Sequence, residues 1–147
     1  KFPFHMVTPH PRWRTHSIFH NIPWLRETYQ QEITINAGDA AKRGIRTGDV
    51  VEVWNERGRV VVPAYVTERC MPGVAVLYEG AWMDLAKDGS DRAGNPDFLT
   101  LDQPSPAGAF ARRRSPLCRQ CSPPLSSPQK MKIAISTPSA RVAKPKT

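Results

Sequence analysis

Apolar and polar residues alternate with a period of two in several short runs, and each run predicts a strand. Residues 2–7 (FPFHMV) form a short β-prone piece, and EITIN over 32–36 alternates clearly. VVEVW over 50–54, RVVVPAYVTE over 59–68 and VAVLYE over 74–79 follow the same rule. Between the second and third runs, AGDAAKRG over 37–44 predicts a short helix. Asn36 can cap it, Asp39 stands three residues later as in a capping box, and Gly44 closes it. RTGD over 46–49 is a turn, NERG over 55–58 joins a hairpin, and CMPG over 70–73 turns the chain again. Pro63 lies inside a strand run and marks an edge or a bulge. Strand, short helix, hairpin and strand make a mainly β fold: a small barrel with inserted helix, too helix-poor for a doubly wound sheet.

The flanks are patterned differently. The first 31 residues hold all four histidines (His5, His10, His16, His20) and four prolines, and they read as a loop that presents side chains. Residues 81–111 are rich in Gly, Asp and Pro and read as a long surface loop, a feature that is usually functional. From Arg112 the composition becomes low-complexity, with 6 Pro, 6 Ser and no Gly in 36 residues. Such a segment is expected to be disordered. The chain therefore divides into a domain at 1–111 and a basic tail at 112–147.

Charge sharpens that division. The net charge of +8 suggests an anion-seeking surface. Residues 1–111 carry 12 basic and 13 acidic residues, whereas 112–147 carry 9 basic and none acidic. The basic character belongs to the tail. Arginines 112–114 can attract phosphate, but no aromatic residue lies among the tail's basic groups to stack on bases. No apolar run reaches the roughly 18–20 residues of a membrane span. Cys70, Cys118 and Cys121 are too few for a disulfide framework. Cys118 and Cys121 have the spacing of a zinc pair but nothing to complete a tetrahedral site. A chain opening on Lys1 is read as a piece cut from something larger.

The chemistry-bearing residues point to binding. His10, His16 and His20 with Asp84, Asp88 and Asp91 can be imagined as an acid–base site, yet no nucleophile elbow, H-E-x-x-H or phosphate loop accompanies them. TPHPRWRTHS over 8–17 is denser, gathering Thr8, His10, Arg12, Arg14, His16 and Ser17. Guanidinium groups can fork onto phosphate, and imidazole and hydroxyl add neutral donors. The set suits a large anionic ligand with phosphates and heteroaromatic rings. It equally suits a loop whose Arg and His satisfy local carbonyls.

Residues 35–58 carry I-N-x-x-D-A-x-x-x-G-I-x-x-G-D-x-V-x-V-x-N-x-R-G, followed by Pro72-Gly73 and by Gly80-x-Trp82. Upstream stands H-P-x-x-R-x-H-S at His10, Pro11, Arg14, His16 and Ser17; downstream stand Leu99, Thr100 and Pro106. In these three ordered motifs, spanning about residues 5–108, the chain resembles the C-terminal cofactor-binding domain of the dimethyl sulfoxide reductase family of molybdopterin oxidoreductases. The resemblance implies a double-psi β-barrel closing over bis(molybdopterin guanine dinucleotide), which holds molybdenum, or tungsten in some relatives. It implies that His10, Arg14, His16 and Ser17 contact the cofactor, with Thr8 and Arg12 beside them. The string TPHPR before HS points to a sulfoxide- or N-oxide-reducing parent.

On the same grounds the metal ligand lies in other domains of the catalytic subunit, and the fragment alone turns over no substrate. An iron–sulfur electron-transfer subunit is an implied partner. A periplasmic or membrane-associated complex in a prokaryote is the implied location. Two departures stand out. Asp97 occupies a position where the family usually has Asn, with Asn95 nearby, so both are candidate contacts. The family also ends on a further strand, whereas here the chain turns into FARRRSPLCRQC, which suggests a frame-shifted or aberrant terminus and a barrel with an unpaired edge. The alternative is a stand-alone β-barrel module whose tail contacts nucleic acid. It requires aromatic and basic clusters on the strands, where Trp54, Tyr65 and Tyr78 read as core.

Overall fold

A computed structural model describes residues 2–100 and 132–137. Six strands close into one barrel: β1 (Phe4–Val7), β2 (Ile33–Asn36), β3 (Val50–Trp54), β4 (Arg59–Thr67), β5 (Val74–Leu77) and β6 (Lys132–Ser136). Their order around the barrel is β1-β5-β2-β4-β3-β6. β1 pairs with β5 and β2 with β4 in parallel, and the other neighbours are antiparallel. The helices are short: α1 (Pro23–Thr28), α2 (Ala37–Ala41) and a 3-10 turn at Pro96–Leu99. The fold is mainly β, as the pattern predicts. No helix among the described residues is long and apolar enough to cross a membrane.

The period-two rule fills the barrel. Phe4, Met6, Ile33, Ile35, Val51, Val53, Val60, Val62, Ala64, Ala75 and Leu77 are all buried in one core, with Ala40 of α2, Ile45 and Leu99 packed against them. Asn36 caps α2 by accepting from Gly38 N at 2.8 Å. Asp39 does not reach back as in a capping box. Its carboxylate accepts Gly73 N at 2.6 Å and ties the helix to the turn before β5. Pro63 stands where β4 changes partners, since Arg59–Pro63 pairs with β3 and Ala64–Thr67 with β2. A residue without an N–H fits that handover.

Three expectations are corrected. Trp54, Tyr65 and Tyr78 are not core: the alternation that turns Val53, Ala64 and Leu77 inward turns these three outward, and Tyr65 is 44% exposed. The opening loop contains α1, whose start is favoured by Pro23 at the first helical position. Most consequentially, the tail supplies a strand. Within KIAIS, Ile133 and Ile135 are buried, and β6 pairs with β1 and β3 to close the barrel. The expectation of disorder across 112–147 and of an open edge therefore fails over Lys132–Ser136. The alternation there is only five residues long and is hidden in basic, proline-rich surroundings. Arginines 112–114, Cys118 and Cys121 lie outside the described residues.

Candidate functional site

The 8–20 loop folds over the chain as it leaves β5, and a buried carboxylate sits beneath it. Leu77 faces inward, so Glu79 two residues later faces inward too and is only 3% exposed. Its Oε1 lies 2.6 Å from His10 Nδ1 and 2.7 Å from His16 Nδ1. The two imidazoles meet edge to face with centroids 4.6 Å apart, and each ring is about two-thirds exposed. A buried carboxylate is costly unless its oxygens accept hydrogen bonds; His16 Nδ1–H supplies one, and His10 Nδ1 stands in ion-pair contact with the same oxygen.

The backbone is held as tightly as the rings. Glu79 N donates to Pro9 O at 3.1 Å, and the Trp82 indole N–H donates to Ser17 O at 2.8 Å. His16 adopts φ of 50°, a left-handed conformation that non-glycine residues rarely hold without support. Gly80, with φ of 78°, lies so close to the His16 carbonyl that a Cβ there would sit 2.0 Å from its oxygen. The Gly-x-Trp pair thus braces the loop: Gly80 admits its backbone and Trp82 bonds it.

Arg14 lies below this surface and is 8% exposed. Its NH2 donates to Glu79 O at 2.7 Å and Gln31 Oε1 at 2.8 Å, and its NH1 donates to His20 Nδ1 at 3.2 Å. Its Nε is buried without a partner among the described residues. Gln31 in turn donates to Tyr78 O at 2.6 Å and Gly94 O at 2.9 Å. Trp13 stacks on Tyr29 at 4.7 Å and meets Tyr78 edge-on, which fixes the stem of the loop.

His10, Arg14 and His16 therefore converge, with Ser17 alongside. Arg12 is exposed and makes no side-chain hydrogen bond among the described residues, and Thr8 is partly buried just past β1. Asn95 and Asp97 are organised separately. Asn95 Oδ1 accepts Asp97 N at 2.9 Å to cap the 3-10 turn, while Asn95 N donates to Asp91. Gln31 links the neighbouring Gly94 to Arg14. Residue chemistry alone misses Glu79, Gln31 and the bracing role of Gly80 and Trp82. Glu79 was detectable, because it continues the inward phase of β5.

The residue set fits a phosphate-bearing heterocycle: an open guanidinium suits phosphate, two exposed imidazoles suit ring edges, and one arginine N–H beneath them is unpartnered among the described residues. The three atoms at Glu79, His10 and His16 also lie within 4.8 Å of one another, a spacing compatible with a divalent ion. In the structure the carboxylate is instead engaged by the rings themselves, accepting from His16 Nδ1 with His10 Nδ1 beside it, while Arg14 donates to the Glu79 carbonyl.

His20 provides a pH test of this architecture. Burial holds its pKa below the usual histidine value; Arg14 and Arg26 lower it further, against an upward pull from Asp91. Neutral His20 accepts from Arg14, and a protonated ring would meet that N–H with its own. As pH falls through about 6.5 the unfolded chain gains a proton that the folded chain refuses, so stability falls with acidification. Urea midpoints at about pH 7.5 and about pH 5.5 are expected to show a drop that is smaller in His20→Gln. An identical drop in the variant would contradict the assignment.

Comparison with known proteins shows the family to which the chain belongs. Residues 4–113 match the family described as Molydopterin dinucleotide binding domain. Trimethylamine-N-oxide reductase 1 of Escherichia coli (strain K12) is 44% identical over 110 residues, covering 69% of this chain and 13% of that protein. Dimethyl sulfoxide reductase DmsA of the same strain is 42% identical over 106 residues, covering 72% of this chain and 13% of that protein. Among solved structures, acetylene hydratase from Pelobacter acetylenicus aligns with a TM-score of 0.58 at 14% identity, over 69% of this chain and 15% of that one, a likeness of fold. The chain thus spans about an eighth of the length of these sequence relatives. With its barrel, its braced loop and a match over most of its length, this chain belongs to the molybdopterin dinucleotide-binding domain family.

Proposed function

We propose that this chain grips one part of bis(molybdopterin guanine dinucleotide) within a larger molybdenum oxidoreductase catalytic subunit, of the kind that reduces sulfoxides or N-oxides. The carrying observation is the His10–Ser17 loop, folded onto Glu79 and Gly80 so that two imidazoles stand exposed together. Arg12, His10, His16 and Ser17 would meet the ligand from the exposed side, with Thr8, Asn95 and Asp97 at the margins. Arg14 would hold the loop from beneath, with the N–H that is unpartnered among the described residues buried under the ligand-facing surface. When bound, the cofactor supplies metal-centred two-electron chemistry such as oxygen-atom transfer. This chain's residues bind and orient it. Its metal ligand belongs to other domains, and the barrel, with two parallel pairings among antiparallel ones, is read as the double-psi type.

The partners are the remaining domains of the subunit. Ile18, Phe19, Trp82 and Met83 expose large apolar side chains on and beside the loop, the surface expected where further protein packs. An iron–sulfur subunit would deliver electrons, in a periplasmic or membrane-associated complex. Binding of molybdopterin guanine dinucleotide by the intact chain tests the reading. Arg12→Ala and His16→Ala are each expected to weaken it by about tenfold or more, the first through loss of a charge-assisted hydrogen bond and the second through loss of a ligand bond together with the partner of buried Glu79. Equal affinity in all three proteins would refute the site.

A further inference from the structure

Glu79 is the group at this site that no motif residue explains, and its geometry dictates how both histidines meet a ligand. A single carboxylate oxygen takes both contacts, at 2.6 Å and 2.7 Å, and both come from Nδ1. An ionised carboxylate accepts and cannot donate, so a ring nitrogen this close to it carries the hydrogen: His16 Nδ1 donates to Glu79, and His10 Nδ1 stands in contact with the same oxygen. In the neutral ring Nε2 is then left with its lone pair, on the flank turned away from the buried carboxylate. Free imidazole does not impose this state on two neighbouring rings; the buried Glu79 does.

We infer that Glu79 is a positioning residue that locks His10 and His16 as Nδ1–H tautomers and so presents two hydrogen-bond acceptors, their Nε2 atoms, to the ligand. The two rings, with centroids 4.6 Å apart, offer neighbouring acceptors that suit N–H groups on the edge of a pterin or guanine and repel the oxygens of a phosphate. Phosphate recognition then falls to the guanidinium groups. The backbone supports the lock, since Pro9 O is held by Glu79 N and the strained His16 by Gly80 and Trp82. A carboxylate behind a histidine commonly fixes its tautomer where it binds metal, and here the same device serves hydrogen bonding.

The tautomer half of this inference stands without ligand, and the ligand half rests on the cofactor reading above. Long-range nitrogen–proton NMR of the histidine-labelled intact chain, without ligand, is expected to show Nδ1 protonated and Nε2 bare in both rings at about pH 8. In Glu79→Ala both rings are expected to revert toward Nε2–H, with the other amide signals unchanged. Dinucleotide binding is expected to weaken about tenfold or more in that variant, with partial recovery in Glu79→Asp. Nε2–H tautomers in the wild type or unchanged tautomers in Glu79→Ala would each overturn the inference. Micromolar Zn2+ binding lost in Glu79→Gln would overturn it as well, by making the trio a metal site. Nδ1–H signals in a chain that binds no dinucleotide would refute the cofactor reading while supporting the role of Glu79.

Discussion

Removing residues 132–147 is expected to abolish cooperative unfolding of this domain. β6 is the stave between β1 and β3, pairing Ile133 with Phe4 and Ile135 with Val53. Ile133 is wholly buried and Ile135 nearly so. Losing one buried isoleucine side chain costs about 2–5 kcal/mol, so losing both approaches the 5–15 kcal/mol that holds a typical domain together. Deletion also bares the backbone of Phe4–Val7 and Val50–Trp54, two edges that invite intermolecular pairing. Thermal and urea melts followed by circular dichroism would show a broad or absent transition and concentration-dependent aggregation. Ile133→Ala is expected to fall between, at about 2–5 kcal/mol, and Ile133→Val to cost about 1 kcal/mol. A truncated chain that melts like the intact one would show that the barrel closes without β6.

That strand marks the boundary of what the sequence made legible. β2, α2, β3, β4 and β5 follow one another with short turns, so local alternation, the Asn36 cap and the Gly-containing turns suffice to place them. β6 pairs with elements at the far end of the chain, and a five-residue alternation cannot announce a partner about 80 residues upstream. Tyr65 shows the reverse error: an aromatic residue among apolar neighbours reads as core, but the phase of its strand faces it outward. At the site, the motif identified His10, Arg14 and His16 as types, but not their depth. Of the two roles open to Arg14, meeting an anion or satisfying local carbonyls, the second is seen in the structure: it is buried because the loop closes over it and supplies internal acceptors. Glu79 was missed for a related reason. Motif reading favours residues that touch ligand, and a group that works through other side chains is visible only through strand phase and burial.

The same reasoning gives the second large effect to Asp91, a residue the ligand need not touch. Its carboxylate is fully buried and accepts three backbone N–H groups, from Asp84 at 2.8 Å, Ala93 at 3.2 Å and Asn95 at 2.6 Å. Its own backbone joins the loop to β4 through Arg59 O and Val61 N. Asp91→Ala leaves three backbone donors without an acceptor, and breaking such a network around a buried charge costs about 3–5 kcal/mol. Asp91→Asn keeps one acceptor oxygen and is expected to lose roughly half as much. Urea denaturation reads both. The effect should also reach the ligand-facing loop. Freed from Asp91, Gly94 no longer presents its carbonyl to Gln31, and Gln31 is the amide that holds Arg14 beneath His10 and His16. Dinucleotide binding is therefore expected to weaken in Asp91→Ala even at temperatures where the barrel stays folded. A variant that loses stability but binds with unchanged affinity would break this chain of support at Gln31, and place the loop's rigidity in Glu79, Gly80 and Trp82 alone.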